Sequence, residues 1–297
     1  MATTTPLRPP ADRVTPPVER LPRTRASLGP WVVLALLVVV ALLTLAPFLL
    51  VTMNAIKTPA EYSTNGPLAL PEGLYLQGLI DFWHRVDFGQ KLINSALISG
   101  TVAVGAVVLS LCNAFVIGIG RVRGRLAFLV LFLLANMLPH EALAYPLYYL
   151  ARAVGIYDTR FAVIVIFTVI QSAFGTYLLS SVLAKFPTEI LEAARVDGAT
   201  KWQLLWRVIV PVSRPTLSVL FVFFFIWTWN EFFLPLIFLI SNANQTVPVA
   251  LGVLQGQRLM DATMSSASGL LGVLPAIVFF LLFQRTLTRG ITAGAVK

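Results

Sequence analysis

Residues 187–211 read PTEILEAARVDGATKWQLLWRVIVP, and they form a polar stretch inside a chain that is otherwise strongly apolar. Pro187 and Glu189 suit a first helical turn, because proline needs no N–H bond there and a carboxylate complements the positive helix end. Asp197 and Gly198 predict the end of that helix, since glycine readily adopts the left-handed conformation that terminates helices. The stretch is therefore predicted to begin with a helix over residues 189–196 and to turn at Gly198.

A second helix is predicted after the glycine. Thr200 and Gln203 have the spacing of a capping box, and Pro211 is expected to end the helix. Apolar side chains recur along one face of it, at Trp202, Leu205, Trp206 and Ile209. Two interpretations of this helix pair stay open. It is an interface for a partner, since a polar pair with nothing to dock on has little to stabilise it, or it rests on lipid headgroups.

The composition places the rest of the chain in lipid. Hydrophobic residues make up 57% of the 297 and charged residues 12%, and the mean hydropathy is +0.82. Soluble domains carry about 25% charged residues, so this chain has too few to coat a soluble surface. The net charge of +9 does not indicate nucleic-acid binding, because the basic residues lie between apolar runs. The single cysteine, Cys112, allows no intrachain disulfide and reads as a small hydrophobic residue.

Six apolar runs predict six transmembrane helices. They lie near residues 31–53, 91–118, 126–150, 161–184, 215–240 and 268–287. The first run exceeds a signal-peptide core and no small-residue cleavage site follows it, so it is predicted to be a retained helix. Residues 1–30 are rich in proline and arginine and are predicted to form a disordered basic tail. The expected fold is therefore an all-α integral membrane domain over residues 31–297.

The distribution of basic residues predicts the orientation. Most of the 22 lysine and arginine residues fall on one side when the six runs cross a membrane alternately. That side holds residues 1–30, the loop after the second run, the central insert counted from Lys185 to Arg214, and the C-terminus. The other side holds only Lys57, Arg85, Lys91, Arg152, Arg160 and Arg258. Because basic residues favour the cytoplasmic side, both termini and residues 187–211 are predicted to be cytoplasmic.

No catalytic site is predicted. The sequence has no Gly-x-x-x-x-Gly-Lys-Ser/Thr phosphate loop and no Ser/His/Asp or Cys/His arrangement. His84 and His140 do not have metal-ligand spacing, so no metal site is expected. The chain is predicted not to be an enzyme.

The polar stretch carries a recognisable pattern of Glu-Ala-Ala, three residues, Gly, nine residues and hydrophobic-x-hydrophobic-Pro. Its members are Glu192, Ala193, Ala194, Gly198, Val208, Val210 and Pro211. This pattern resembles the signature loop of ABC importer permeases, with valines where isoleucine and leucine are commoner. Further motifs are similar to those of carbohydrate-type permeases: Asn94-Ser95, Trp229-Asn230-Glu231-Phe232, Thr246-Val247-Pro248-Val249, and the ending from Gln284-Arg285 through residues 290–297. From about residue 31 onward, the chain resembles the family of the smaller maltose-importer permease subunit.

The resemblance implies a type I ABC importer permease fold with residues 187–211 as a cytoplasmic coupling-helix insert. In that family the insert fits a groove on a separate ATPase subunit, and Glu192 would contact an arginine there. The implied coupling residues are Glu192, Ala193, Ala194, Asp197, Gly198, Ala199 and Pro211. The C-terminal residues Gly294, Ala295, Val296 and Lys297 would also reach the ATPase, and simple fraying is the alternative for them.

The resemblance further implies a multi-pass subunit of the bacterial inner membrane that imports a sugar delivered by an extracytoplasmic solute-binding protein. Its partners would be a second permease, an ATPase dimer and the lipid bilayer, without nucleic acid. ATP and Mg would be bound by the ATPase, so no cofactor is expected in this chain. Two alternatives remain: the same machinery importing glycerol phosphate or a polyol, and a secondary carrier that needs no ATPase.

Three polar residues in the apolar runs, Glu141, Asn230 and Glu231, are candidates for the translocation cavity. Ionisable groups at membrane depth usually face a bundle interior or a wet cavity. They would either approach a sugar's hydroxyl groups or form hydrogen bonds that fix the bundle. Asn113 and Gln171 have the same two interpretations.

Overall fold

Helices make up nearly all of the regular structure in the computed structural model, which describes residues 28–120, 122–256 and 261–295. No strand occurs within these residues. In chain order the helices are α1 Leu28–Ala55, α2 Pro59–Asn65, α3 Gln77–Arg85, α4 Phe88–Gly118, α5 Arg125–Met137, α6 Ala144–Ala153, α7 Arg160–Leu183, α8 Thr188–Val196, α9 Lys201–Gln203, α10 Val210–Asn230, α11 Phe233–Phe238, α12 Val247–Gly256 and α13 Ala262–Ala295. Short 3₁₀ turns occupy His140–Leu143 and Asn242–Asn244, and a π-helical segment occupies Leu204–Ile209.

The helices that can cross a membrane follow the predicted apolar runs. Within the described ranges, five helices are long and apolar enough: Gly29–Ala55, Phe88–Gly118, Arg160–Leu183, Lys201–Asn230 and Ala262–Thr286. The third predicted run differs from these, because α5 and the helical stretch His140–Ala153 meet at an angle of 92°. The break falls at Leu138 and Pro139, and proline disfavours helical backbone in the residue before it. Within the described residues, five single helices are therefore candidate spans, and the bent pair is a sixth if it counts as one span.

The first helix begins at Leu28, three residues before its predicted start, and residues 1–27 of the predicted tail lie outside the described residues. Pro30 falls in the first helical turn, where the missing N–H removes no hydrogen bond. The chain divides into two compact units between Pro47 and Phe48. In the first unit nearly all described side chains of α1 are exposed, and most of them are apolar. An exposed apolar helix of this length suits a lipid environment.

Small residues allow the central helices to approach closely. Ala103, Ala106 and Ala114 of α4 are fully buried in the main core cluster, together with Leu179 of α7 and Phe224 of α10. Close packing over small side chains is how helices associate in lipid, where burial of apolar surface gives no driving force. The helices α4, α7 and α10 therefore form the centre of the bundle.

Two smaller clusters attach the short helices to this centre. In one of them, Val102 of α4 packs with Phe167 of α7 and Phe238 of α11. In the other, Phe82 of α3 and Phe88 of α4 pack with Val247 and Ala250 of α12. The bundle end where α4 begins is therefore covered by short helices.

A hydrogen-bond network connects residues 241–247 to the beginnings of α4 and α7. Asn94 is fully buried, and its Nδ2 donates to the carbonyl oxygens of Ala243 at 2.8 Å and Gln245 at 2.9 Å. The Nη1 of Arg160 donates to the Asn94 Oδ1 at 3.0 Å. The Lys91 ammonium donates to the backbone and side-chain oxygens of Asn242. The network thus holds residues 242–245 against the beginning of α4, which lies about 150 positions earlier in the sequence.

The same network connects the Asn94-Ser95 motif to the Thr246-Val247-Pro248-Val249 motif. The backbone N–H of Val247 donates to the Ser95 Oγ at 2.9 Å. On the neighbouring side, Asp158 accepts hydrogen bonds from the backbone N–H and the hydroxyl of Ser241. The Asn94-Ser95 pair therefore fixes the segment that leads into the Thr246-Val247-Pro248-Val249 motif.

Candidate functional site

The corner after α8 has the hydrogen bonding of a Schellman motif. Gly198 has φ +77° and donates its N–H to the Arg195 carbonyl at 3.0 Å. The N–H of Ala199 reaches back to the Ala194 carbonyl, also at 3.0 Å. These two bonds satisfy carbonyl groups that the helix end leaves without intrahelical partners. The helix terminator predicted at Asp197-Gly198 is confirmed.

The next helix starts immediately after the corner through a complete capping box. The Gln203 N–H donates to the Thr200 Oγ1 at 3.2 Å, and the Thr200 N–H donates to the Gln203 Oε1 at 2.8 Å. This reciprocal pair satisfies two donors at the helix start. A C-terminal motif and an N-terminal motif therefore adjoin, so the direction change at the corner is fixed by local hydrogen bonds.

The second predicted helix does not end at Pro211. The helical path runs from α9 through the π-helical segment into α10, and the whole of Lys201–Asn230 behaves as one helix. In the wider turn the Val210 N–H donates to the Leu205 carbonyl. A proline ring clashes with the carbonyl four residues earlier in a regular α-helix. We attribute the tolerance of Pro211 to the wider preceding turn, where the backbone is displaced from α-helical geometry.

The two helices at the corner bury one face and expose the other. Leu191 of α8 packs in the main core cluster with Leu204, Leu205 and Ile209. The opposite face of α8 exposes Glu192, Ala193 and Val196, and the Val196 side chain is 87% exposed. Within the described residues Glu192 makes no ion pair. This face of α8 is therefore accessible to solvent or to a partner.

A pocket of about 260 Å³, lined by both apolar and polar residues, lies at the two helix breaks in the bundle. Its polar lining residues are Asn136, His140, Gln171, Asn230 and Glu231. The first two flank the bend between α5 and α6, and the last two lie where α10 ends before α11. Broken helices in lipid are tolerated where the irregular backbone is enclosed by protein or lines a cavity. Gln171 lies near the middle of α7, which places the pocket at about half the depth of that helix.

Only some of the cavity residues predicted from the sequence line this pocket. Asn230 and Glu231 line it, and the Glu231 side chain is half-buried. Glu141 is exposed on the turn after the bend and does not line the pocket. Asn113 lies elsewhere and donates to the Thr176 hydroxyl at 3.3 Å, an interhelical bond between α4 and α7.

Two of the residues that line the pocket, Asn136 and His140, are not among the cavity residues predicted from the sequence. Pro139 is an available signal, because it directly precedes His140, follows Asn136 by three residues, and a proline in an apolar run marks a place where a helix is interrupted. At the other end of the chain, Gly294 and Ala295 form the end of α13, whereas Val296 and Lys297 lie outside the described residues.

Comparisons with known proteins agree on one family. A family model described as the binding-protein-dependent transport system inner membrane component matches residues 114–293. The inner membrane ABC transporter permease protein YcjP of Escherichia coli (strain K12) is 31% identical over 93% of this chain and 98% of its own length. The trehalose transport system permease protein SugB of Mycobacterium tuberculosis (strain CDC 1551 / Oshkosh) is 34% identical over 71% of this chain and 77% of its own.

A solved structure has the same fold. It is the crystal structure of a bacterial ABC transporter involved in the import of the acidic polysaccharide alginate. The TM-score is 0.76 at 20% identity, and the match covers 89% of this chain and 99% of that chain. At this identity the likeness shows the fold alone.

Proposed function

The chain belongs to the family of binding-protein-dependent transport system inner membrane components, and from that membership we propose that it is the permease subunit of an ATP-driven sugar importer. The solute would be delivered by an extracytoplasmic binding protein and would cross the inner membrane through this subunit and a second, different permease. Six spans are proposed, with the bent pair Arg125–Met137 and His140–Ala153 counted as one. Both termini and residues 187–211 would be cytoplasmic.

The exposed face at the Gly198 corner is the observation that carries this proposal. It presents Glu192 and Val196 outward, while Leu191 anchors the helix to the bundle. A carboxylate that pairs with an arginine in a partly buried contact forms a charge-assisted hydrogen bond. We assign this face to docking of a cytoplasmic ATPase subunit, with the coupling residues Glu192, Ala193, Ala194, Asp197, Gly198, Ala199 and Pro211. The end of the chain, Gly294 to Lys297, is proposed as a second ATPase contact.

ATP chemistry would take place on the partner. The ATPase dimer would bind ATP and Mg, and its closure would displace the corner of this chain. The bundle would then exchange between inward-facing and outward-facing states whose populations depend on the bound nucleotide. Asn230 and Glu231 would face the solute at the pocket, whereas the exposed Glu141 is proposed to contribute at its entrance or at the second permease.

The proposal is tested by reconstitution of the chain into proteoliposomes. The second permease, the ATPase and the solute-binding protein encoded beside it are added. We expect solute uptake that requires ATP, the ATPase and the solute-binding protein together. Glu192→Ala should leave the chain inserted in the membrane but reduce co-purification of the ATPase and ATP-driven uptake. The matched control is Asp81→Asn, another exposed carboxylate on a short helix, and this variant should retain the ATPase.

Two results would contradict the proposal. Uptake by the purified chain without any ATPase would indicate a secondary carrier. Equal ATPase retention by Glu192→Ala and Asp81→Asn would remove the assigned role of the corner.

A further inference from the structure

A groove between α10 and α13 is polar at one end and apolar at the other, and we propose that it binds an anionic phospholipid. The phosphodiester of the lipid would lie at Arg214, and the beginning of one acyl chain would lie against Phe221 and Phe283. The groove shares no lining residue with the pocket at the helix breaks. Its assignment to the cytoplasmic leaflet rests on the proposed orientation of the chain.

Ring contacts show how the two helices of the groove run past each other. The ring centroids of Trp229 and Phe279 are 4.5 Å apart, and those of Phe221 and Phe283 are 6.3 Å apart. Residue numbers fall along α10 while they rise along α13, so the helices are antiparallel. The beginning of α10 therefore lies beside the later part of α13, and the groove of about 350 Å³ lies there.

The polar end of the groove carries one cation and two hydroxyl groups. Arg214 and Ser218 of α10 line it together with Thr286 of α13. Arg214 and Ser218 are exposed, so this end is open to the surroundings of the chain. Within the described residues, Arg214 makes no hydrogen bond or ion pair, and neither hydroxyl makes a hydrogen bond. Three donor groups at this end are therefore available to an acceptor from outside.

The charge around the polar end favours a ligand with a net negative charge. Neither α10 nor α13 contains an aspartate or a glutamate, and Arg285 and Arg289 follow in the sequence of α13. A guanidinium can form two parallel hydrogen bonds to phosphate oxygens. The ammonium group of phosphatidylethanolamine would meet the same positive charge, whereas phosphatidylglycerol has no cation. Basic pockets between membrane helices are known to take anionic lipid headgroups.

Both helices change from polar to apolar sequence at the level of the groove. In α10 the residues 219–226 are all apolar, and they follow Arg214 and Ser218. In α13 the apolar residues end at Phe283, and Gln284, Arg285 and Thr286 come next. Such a change is expected where a membrane helix passes from hydrocarbon to the headgroup region. The groove therefore crosses that boundary with its polar end on the headgroup side.

The apolar end of the groove requires an acyl chain. Phe221 lies seven residues beyond Arg214, which is about 10 Å along the helix. The Phe283 ring lies 6.3 Å from the Phe221 ring and 6.0 Å from the Phe225 ring, so aromatic side chains join α10 and α13 here. A lipid places its first methylene groups against these rings, whereas a soluble phosphate compound would leave this end of the groove empty. The occupant is therefore a phospholipid and not a free phosphate.

The first test measures lipid binding to the complete transporter in detergent by native mass spectrometry. The probes are phosphatidylglycerol and phosphatidylethanolamine with the same acyl chains. We expect phosphatidylglycerol to bind about tenfold more tightly, and Arg214→Gln to remove this preference, because one hydrogen bond to a charged group is lost. The matched control is Arg123→Gln, which changes an exposed arginine outside the groove and should alter the affinity by less than about threefold.

Three results of this experiment would overturn the proposal. Equal affinity for the two lipids would mean that Arg214 reaches headgroups without selecting among them. Equal losses in Arg214→Gln and Arg123→Gln would mean that total charge, and not the groove, attracts the lipid. Displacement of phosphatidylglycerol by glycerophosphoglycerol, its deacylated headgroup, at similar concentrations would identify a phosphate site in place of a lipid site.

The second test blocks the groove and keeps the arginine. Ser218→Phe places a ring in the groove from an exposed position, so we expect it to weaken phosphatidylglycerol binding as strongly as Arg214→Gln. Val212→Phe adds a ring at an exposed position of α10 that does not line the groove, and it should bind phosphatidylglycerol like the wild type. Wild-type binding by Ser218→Phe would refute the assigned site. Cross-linking of a Ser218→Cys variant to the second permease would show that protein, and not lipid, covers the groove.

Discussion

Gly175 of α7 and Ser110 of α4 approach so closely that a β-carbon built on Gly175 would lie 2.8 Å from the Ser110 Cβ. The same β-carbon would lie 2.9 Å from the Phe224 Cζ of α10. Three membrane helices therefore converge on the one position where α7 has no side chain. The Ser110 hydroxyl also donates to the Ser172 carbonyl at 3.2 Å across this contact.

Gly175→Ala is expected to destabilise the bundle by about 1–3 kcal/mol, because an added methyl group forces backbone shifts in a packed core. Gly100→Ala is the matched control, since a β-carbon at Gly100 meets nothing within 4 Å. The thermal unfolding midpoints of the two purified variants in the same detergent measure the difference. Equal midpoints would show that α4 and α7 do not pack as described.

At the Gly198 corner the backbone conformation sets the penalty and steric contact does not. A β-carbon there meets nothing within 4 Å, but the residue has φ +77°. Gly198→Ala should cost roughly 1–2 kcal/mol, Gly198→Asn less, and Gly198→Val more, because β-branched residues tolerate positive φ least. The measurement is ATP-driven uptake across the three variants together with their unfolding midpoints. A ranking by side-chain volume, with alanine mildest and asparagine harsher, would contradict this explanation.

Asn94→Asp is expected to destabilise the hydrogen-bond network that holds residues 241–247. The substitution places a carboxylate oxygen against the carbonyl groups of Ala243 and Gln245, where Nδ2 now donates. The loss of two buried donors should cost about 2–4 kcal/mol, partly offset by Arg160. Asn65→Asp changes an exposed amide that makes one hydrogen bond, and it should cost under about 1 kcal/mol. Limited proteolysis of residues 241–247 and the unfolding midpoint report the effect.

Asp158 should make the stability of the protein depend on pH at the acid end. Burial by itself would raise the pKa of Asp158, but hydrogen bonds from the Ser241 hydroxyl and backbone hold this pKa below its ordinary value. A lowered pKa means that the stabilisation is present above the ordinary aspartate range and is lost as the pH falls through the folded-state pKa.

The variant Asp158→Asn tests this sign. Asparagine also tolerates the left-handed backbone at this position, where φ is +59°. We expect the unfolding midpoint of the wild type to exceed that of the variant at pH 7, and the gap to narrow as the pH falls below about 4. A gap that widens on acidification would mean that the carboxylate is not stabilised by Ser241.

Local sequence signals predicted the corner well. The helix over residues 189–196, the glycine terminator and the Thr200–Gln203 capping box all depend on residues within a few positions of one another. The structure places α8 at Thr188–Val196, one residue longer than predicted. Such motifs are readable because their donors and acceptors are neighbours in sequence.

Continuity and long-range pairing were not readable in the same way. Pro211 is a strong helix breaker in the sequence, and the π-helical turn that accommodates it has no periodic signature of its own. Conversely, α10 ends at Asn230 and α11 begins at Phe233, although neither of the two residues between them is a proline. The pairing of Lys91 and Asn94 with residues 242–245 joins positions that no spacing rule connects. Likewise, the orientation of the Gln171 amide depends on Thr228, which lies on another helix.

The uninterrupted helical path Lys201–Asn230 has a mechanical consequence for the proposed transporter. At 1.5 Å per residue it is a rod of about 45 Å. The Gly198 corner adjoins one end, and Asn230, which lines the pocket at the helix breaks, lies at the other. A displacement of the corner would be transmitted to the pocket through continuous helix and not through a flexible loop. Only the π-helical segment Leu204–Ile209 could deform and reduce that displacement. Because coupling between two sites is reciprocal, a solute bound at Asn230 would also change the affinity of the corner for the ATPase. The empty and the solute-bound transporter would therefore bind the ATPase with different affinities.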